Sequence, residues 1–183
     1  MNQSSGPTRS IPVRRLARED AESVIALDAR ILGRRREAYF ATKLREAFEE
    51  TGVRVSLAAE HDGLFAGFLL ARVYYGEFGV AEPEAVLDTL GVHPGMRGLG
   101  VGRALMGQLR TNLAALGIPR LRTEVGWDAQ ELLRFFHAQG FVPAARLCLD
   151  CALDPQRSGR LPADEQEAED PEEFRGPARH SAS

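Results

Sequence analysis

The chain has 183 residues, of which 44% are hydrophobic and 27% charged, and its formal net charge at pH 7 is -3. That size suits one domain around a single core, and the slight acidity gives no general affinity for nucleic acid or for an anionic membrane. No uninterrupted apolar run is long enough to span a bilayer, and the polar start MNQSSGPTRS lacks the apolar centre of a secretory signal, so a cytoplasmic protein without a membrane partner is expected.

Residues 1–10 read as a flexible start, which leaves Ile11 to about Leu153 as the expected folded unit. IPVRRL reads as a first strand. EDAESVIALDARIL follows with Val24, Leu27 and Ile31 at helical spacing, and REAYFATKLREAFEE repeats Phe40, Leu44 and Phe48 every four residues before Gly52 ends it. Arg34, Arg35 and Arg36 open this second helix, where positive charge opposes the helix dipole. Their presence asks for another reason, and contact with an acidic part of a substrate is one. VRVSLAAE and LFAGFLLARVYY are strand-like, and HDG between them signals a hairpin.

AVLDTLGV is a further strand and RLRTEV another. Between them Val101, Leu105, Leu109 and Leu113 make the apolar stripe of a third helix that Gly117 and Pro119 end. A last helix starts at WDAQELLRFF, with Asp128 as N-cap and Glu131 three residues on as a capping box, and Gly140 closes it. FVPAARLCLDCAL supplies a last strand. Its alternation sends Cys148 and Cys151 to opposite faces, which argues against a disulfide or a metal clip and for buried thiols. Residues 154–183 are rich in acidic residues, Pro, Gly and Ser, and read as a disordered tail. The element order implies an α/β (α+β) fold, a mixed sheet covered by helices on both faces.

The stretch VHPGMRGLGVGRALM places Gly95, Gly98, Gly100 and Gly102 where the third helix begins. A helix start offers unpaired N–H groups and a partial positive charge, and glycines let a backbone approach an anion, so the loop is suited to phosphate. It is not a nucleoside-triphosphate loop, because Arg103 and Ala104 follow Gly102 where GK[ST] continues with Lys and Ser or Thr. Nor is it a dinucleotide fingerprint, because Arg103 stands where the third glycine belongs.

Arg97-x-x-Gly100-x-Gly102, set between a strand ending in Val92 and an amphipathic helix, resembles the acyl-CoA pyrophosphate loop of the GNAT family, the general N-acetyltransferases. LLRFFHAQGF is similar to that family's late helix, and the two motifs lie at the family's distance. The resemblance covers Ile11 to about Leu153. It implies a mostly antiparallel sheet of six to seven strands in which AVLDTLGV and RLRTEV splay apart around the pantetheine arm. It further implies acetyl-CoA as cosubstrate with no metal, and a pyrophosphate held at Arg97, Gly98, Leu99, Gly100, Val101, Gly102 and Arg103. Backbone groups near Leu90 and Val92 would meet the arm and the thioester carbonyl. The implied acceptor is a primary amine, on a protein or a small molecule, and homodimers are common in such families. A noncatalytic acyl-CoA sensor and a transferase using another acyl donor remain the alternatives.

An alkylamine is mostly protonated at neutral pH, so attack on a thioester needs a proton acceptor. Asp88, the lone carboxylate of AVLDTLGV, is the first candidate, and pairing with a basic side chain is the competing reading. Glu77 in VYYGEFG, Glu124 in LRTEV and His93 are further candidates, each with a solvated or structural role as its alternative. The late helix carries Phe136 where many members have a proton-donating tyrosine, which leaves Tyr74 and Tyr75 as the nearest hydroxyls by element position. Trp127 at the strand-to-helix junction reads as cover for the core or as a wall of the cofactor arm.

Overall fold

The computed structural model describes residues 10–50, 53–75 and 81–151, and the chain divides into two compact units, Met1–Val142 and Pro143–Ser183. The first unit is built on five strands that lie side by side in chain order: β1 (Val13–Arg15), β2 (Leu57–His61), β3 (Leu64–Tyr74), β4 (Glu84–Val92) and β5 (Arg120–Thr123). Neighbours from β1 to β4 pair antiparallel, whereas β5 joins β4 in parallel, so the chain must cross over between them. Helix α3 (Val101–Ala115) makes that crossover. Helices α1 (Ala21–Leu32) and α2 (Glu37–Arg45) lie between β1 and β2, α2 running on into a wider turn at Glu46–Glu50, and α4 (Gln130–Ala138) follows β5.

Strand alternation divides the core in two, because successive side chains leave opposite faces of a sheet. Leu57, Leu69 and Leu87 meet Val101, Leu105, Met106 and Leu109 of α3 and Phe136 of α4 on one face. Ala58, Phe68 and Leu70 meet Val24 and Leu27 of α1, Phe40 and Leu44 of α2, and Phe48 on the other. The apolar stripes read from the sequence are therefore the buried ones, and helices cover both faces as expected.

Local chemistry fixes the ends of these elements. Asp62 and Gly63, both at positive φ, form the two-residue turn that joins β2 to β3. After α3 the left-handed Gly117 lets Ile118 N donate to Leu113 O at 2.9 Å and Gly117 N to Ala114 O at 3.0 Å, with Leu113 and Ile118 both buried. The same cap ends α4: Gly140 is left-handed, Phe141 N donates to Phe136 O at 3.0 Å, and the two rings stand 5.0 Å apart. This is the physical content of the Gly140–Phe141 pair in the late motif.

Three expectations differ. The sheet has five strands among the described residues, because the segment at 141–151 joins no ladder and is irregular. A strand is completed by its partner, and alternation in FVPAARLCLDCAL is not sufficient for one. Cys148 and Cys151 are consequently exposed and in no disulfide, where burial was expected. The capping box at Asp128 is not formed either: the N-cap of α4 is Ala129, with no side-chain cap, and Asp128 instead accepts from Gln130 N through its main-chain carbonyl at 2.8 Å. The expected flexible start lies outside the described residues except for Ser10, as do Gly52 and the acidic tail at 154–183. Among the described residues no helix is long and apolar enough to cross a membrane.

Candidate active site

The glycine stretch forms a short 3-10 turn at Pro94–Met96, a bend through Arg97–Gly100 and then the first turn of α3. Gly98 and Gly100 have φ of +80° and +89°, and a Cβ at either would point into open space. Leu99 N donates to Met96 O and Ala104 N to Gly100 O, but the amides of Gly98, Gly100, Val101, Gly102 and Arg103 meet no backbone acceptor among the described residues. No acidic residue occupies the first turn of α3, so nothing there neutralises its positive end. Arg97 and Arg103 add exposed guanidinium groups at each end of the loop. Five amides without a backbone acceptor, two open glycines and two flanking cations suit a diphosphate.

Gly102 has a second task. A Cβ there would meet the Phe135 ring at 3.2 Å and Val92 Cγ2 at 3.6 Å, so the missing side chain lets α4 and β4 close on the start of α3. At Gly67 a Cβ would lie 2.8 Å from Gly91 O and 2.9 Å from Val101 Cγ1, which seats the first residue of α3 against the sheet. The cradle is thus held by strands on one side and by α4 on the other.

Beside it the sheet opens. The β4–β5 ladder runs from Glu84↔Arg120 to Leu87↔Thr123 and stops there, although β4 continues to Val92. At the same level β3 pairs Ala71 with Leu87 and Leu70 with Thr89, so Asp88 is an extra residue, a β-bulge. A bulge bends its strand and increases the twist, which accounts for β4 leaving β5 at this point. Two hydrogen bonds show the change of phase. Thr123 Oγ1 donates to Leu87 O at 2.9 Å on the β5 edge, whereas His93 N, six residues on, donates to Ala66 O at 2.8 Å on the β3 edge. In an unbroken strand residues 87 and 93 would face the same edge. After the bulge Thr89, Gly91 and His93 face β3, and the backbone groups of Leu90 and Val92 face the gap.

The bulge also sends two consecutive side chains to the α2 face. Arg72 holds Asp88 through Nε at 2.8 Å and Nη2 at 3.2 Å, and Lys43 Nζ stands 3.6 Å from Asp88 Oδ1. Glu46 closes the group, accepting from Arg72 Nη1 and from Lys43 Nζ, the latter at 3.1 Å. Next to them Tyr39 and Thr89 share a 2.8 Å hydrogen bond between hydroxyls. Burial works against the charge of Arg72, yet the hydrogen bond and charge of Asp88 outweigh it and raise its pKa. Tyr74, whose ring lies 5.2 Å from the Arg72 guanidinium carbon, is pushed above the ordinary tyrosine value first by burial, and remains a phenol.

Glu124 is the first residue past the last β4–β5 rung; it is exposed and in no ion pair among the described residues. His93 is half-buried: its Nδ1 accepts from Gly95 N at 3.2 Å and its Nε2 lies 2.7 Å from Arg30 Nη1. A neutral imidazole has one bare nitrogen, so the two donors compete for it. Trp127 does not cover the core, being 87% exposed in the irregular stretch before α4. Phe136 is buried between Phe135 and Phe141, and Tyr75 is exposed at the end of β3. Glu77 lies outside the described residues.

Arg35 and Arg36 have intramolecular partners: Arg35 bridges Glu22 and Glu37, and Arg36 grips the buried Asp28 at 2.6 and 2.9 Å. Sequence reading missed Arg72, Lys43, Glu46 and the Tyr39–Thr89 contact. The available signal was one basic residue inside LFAGFLLARVYY facing one acidic residue inside the next strand.

The family model described as the Acetyltransferase (GNAT) family matches residues 21–141. Among solved structures the chain resembles the aminoglycoside N-acetyltransferase AAC(6')-Iy in complex with CoA at 17% identity and a TM-score of 0.65, over 78% of this chain and 94% of that one. A ribosomal-protein-alanine N-acetyltransferase from Brucella melitensis biovar Abortus 2308 matches at 20% identity and 0.61, over 78% and 99%. Ard1 from Thermoplasma volcanium matches at 24% and 0.61, over 74% and 85%. These likenesses show a shared fold. By that fold and by the family match, the chain belongs to the GNAT acetyltransferase family.

Proposed function

We propose that this protein transfers an acetyl group from acetyl-CoA to a primary amine by direct attack in a ternary complex. The observation that carries the reading is the cradle of unpaired amides at the start of α3, opening beside the gap between β4 and β5. The diphosphate of acetyl-CoA binds the amides from Gly98 to Arg103 with Arg97 and Arg103 at its flanks, and its arm runs down the gap along Leu90 and Val92. The CoA-bound aminoglycoside acetyltransferase of the same fold supports this choice of ligand.

Attack of the amine nitrogen on the thioester carbonyl forms a C–N bond and a tetrahedral oxyanion; collapse breaks the C–S bond and releases the thiolate. A gap-facing amide of β4 stabilises the oxyanion, a contribution of about 3 kcal/mol where such a donor is fixed in advance. Asp88 already accepts two hydrogen bonds from Arg72 and lies 3.6 Å from Lys43, so it is committed to the bulge. Glu124 is solvated at the mouth of the gap and takes the ammonium proton, directly or through water. The Tyr74 phenol, kept protonated by burial, is the side-chain donor proposed for the leaving thiolate, in place of the hydroxyl that Phe136 lacks.

The test is thiol release from acetyl-CoA with a panel of small amines, aminoglycosides and peptides, together with calorimetry on CoA alone. Turnover on an amine that falls about 100-fold in Glu124→Gln, with the acid limb of the pH profile lost and CoA affinity kept, supports the assignment. An acid limb that survives in Glu124→Gln and is lost in Asp88→Asn returns the base to Asp88. CoA binding without release on any amine makes the protein a noncatalytic acyl-CoA module, and absence of CoA binding removes the reading.

A further inference from the structure

We propose that Arg72 is a positioning residue for acyl transfer, acting through Asp88 to hold the β4 bulge in the shape that keeps the cleft open. The inference rests on the acyl-CoA reading above.

The bulge has a cost. An extra residue interrupts the ladder, and a strand gains hydrogen bonds by expelling it or by shifting register. Asp88 is kept in place by a bidentate guanidinium on the neighbouring strand, at 2.8 and 3.2 Å, a geometry that fixes both direction and distance. Arg72 is fixed in turn by Glu46, and Lys43 touches both carboxylates, so two cations and two anions close a neutral group whose side chains are 14–20% exposed. One residue on, Tyr39 holds Thr89 at 2.8 Å. Tyr39 and Lys43 stand on α2 and Glu46 on the turn that follows it. The two consecutive side chains of the bulge are therefore both anchored on the α2 side, while the opposite edge of β4 turns Leu90 and Val92 toward the gap.

The consequence is a link across the strand. Loosening the grip on Asp88 lets β4 straighten, which narrows the gap and swings the backbone groups that meet the acyl arm. A displacement of this kind, remote from the chemistry, costs rates of about 100-fold when it moves reacting groups by an ångström.

The experiment compares wild type, Arg72→Met and Arg72→Lys by CoA calorimetry, by kcat and KM for each substrate, and by thermal denaturation. Arg72→Met is expected to weaken CoA binding and to lower kcat together, on the order of 100-fold in kcat/KM for acetyl-CoA. Arg72→Lys keeps the charge but not the fork, and is expected to recover only part of both at an unchanged melting temperature. If Arg72→Met fails to fold, Arg72→Lys decides alone. Wild-type CoA affinity and kcat in a folded Arg72→Lys or Arg72→Met overturn the inference and leave the acyl-CoA reading standing. Wild-type protein that gives no heat with CoA removes the reading itself. An Asp88→Asn variant that loses turnover and the acid limb of its pH profile while both Arg72 variants stay active makes Asp88 the base and also overturns the inference.

Discussion

Thr123 Oγ1 donates to the carbonyl of Leu87 at 2.9 Å, and these two residues are also the last pair of the parallel β4–β5 ladder. The side chain thus ties off the sheet at the point where the cleft begins. Thr123→Val keeps the shape and removes the donor to a partly buried carbonyl. A loss of about 1 kcal/mol in urea denaturation is expected, with a raised KM for acetyl-CoA as the cleft frays. Thr123→Ser restores the hydroxyl and brings both values back toward wild type. Equal stability of the Val and Ser variants would show that the hydrogen bond does not close the ladder.

Gly100 and Gly107 separate conformation from composition. Gly100 sits at φ +89° with open space around it, so alanine there meets no atom but must adopt a backbone that L-residues avoid. Gly107 is inside α3 at ordinary helical dihedrals, also with nothing within 4 Å. Gly100→Ala is expected to cost about 1–2 kcal/mol and to weaken CoA binding. Gly107→Ala is expected to stabilise by about 0.5–1 kcal/mol and leave binding alone. Chemical denaturation and calorimetry on the two variants read both effects.

The parts of this site that follow from short-range rules could be read in the sequence. Val101, Leu105, Leu109 and Leu113 recur at helical spacing because one face of α3 is buried, and the glycines before them mark the loop that must turn left-handed. The bulge at Asp88 is different. AVLDTLGV is apolar or neutral apart from Asp88, and only pairing with β3 reveals that Asp88 and Thr89 share a face. The quartet of Lys43, Glu46, Arg72 and Asp88 joins residues up to 45 positions apart, so spacing carries no trace of it. FVPAARLCLDCAL shows the opposite failure, a strand-like pattern that finds no ladder partner among the described residues, and Asp128 shows a capping motif that the chain passes by in favour of a main-chain turn.

Asp20 should make part of the stability depend on pH. Arg14 donates to its two oxygens at 2.7 and 2.8 Å and Ala17 N adds a third bond at 2.8 Å. The Arg14 hydrogen bonds, working against burial, hold the Asp20 carboxyl below the ordinary value of 3.8. A group whose folded value is depressed contributes stability above its unfolded pKa and loses it as the pH falls through the folded one. Asp20→Asn is therefore expected to be less stable near neutrality by about 1–2 kcal/mol, the half-exposed Arg14 limiting the effect. The gap to wild type should close as the pH drops below 3.8. A difference that stays constant across that range would mean that Asp20 acts through packing alone.

Gly67 joins the strands to the cradle. A Cβ there would stand 2.8 Å from Gly91 O, a backbone atom within the β3–β4 pairing, and 2.9 Å from Val101 Cγ1 at the start of α3. The carbonyl cannot rotate away without breaking the ladder, so the helix has to give, and the amides of Val101 and Gly102 move with it. Gly67→Ala is expected to lose about 1–3 kcal/mol, the usual range for overpacking a tight core. The loss of CoA affinity should exceed what Gly91→Ala produces, since the atoms nearest a Cβ at Gly91 belong to the Phe68 ring and not to α3. Both variants lie on paired strands and both crowd a neighbour, so the comparison isolates the effect on α3. Calorimetry showing Gly91→Ala to be the weaker CoA binder would place the controlling contact in the sheet and not at the mouth of the helix.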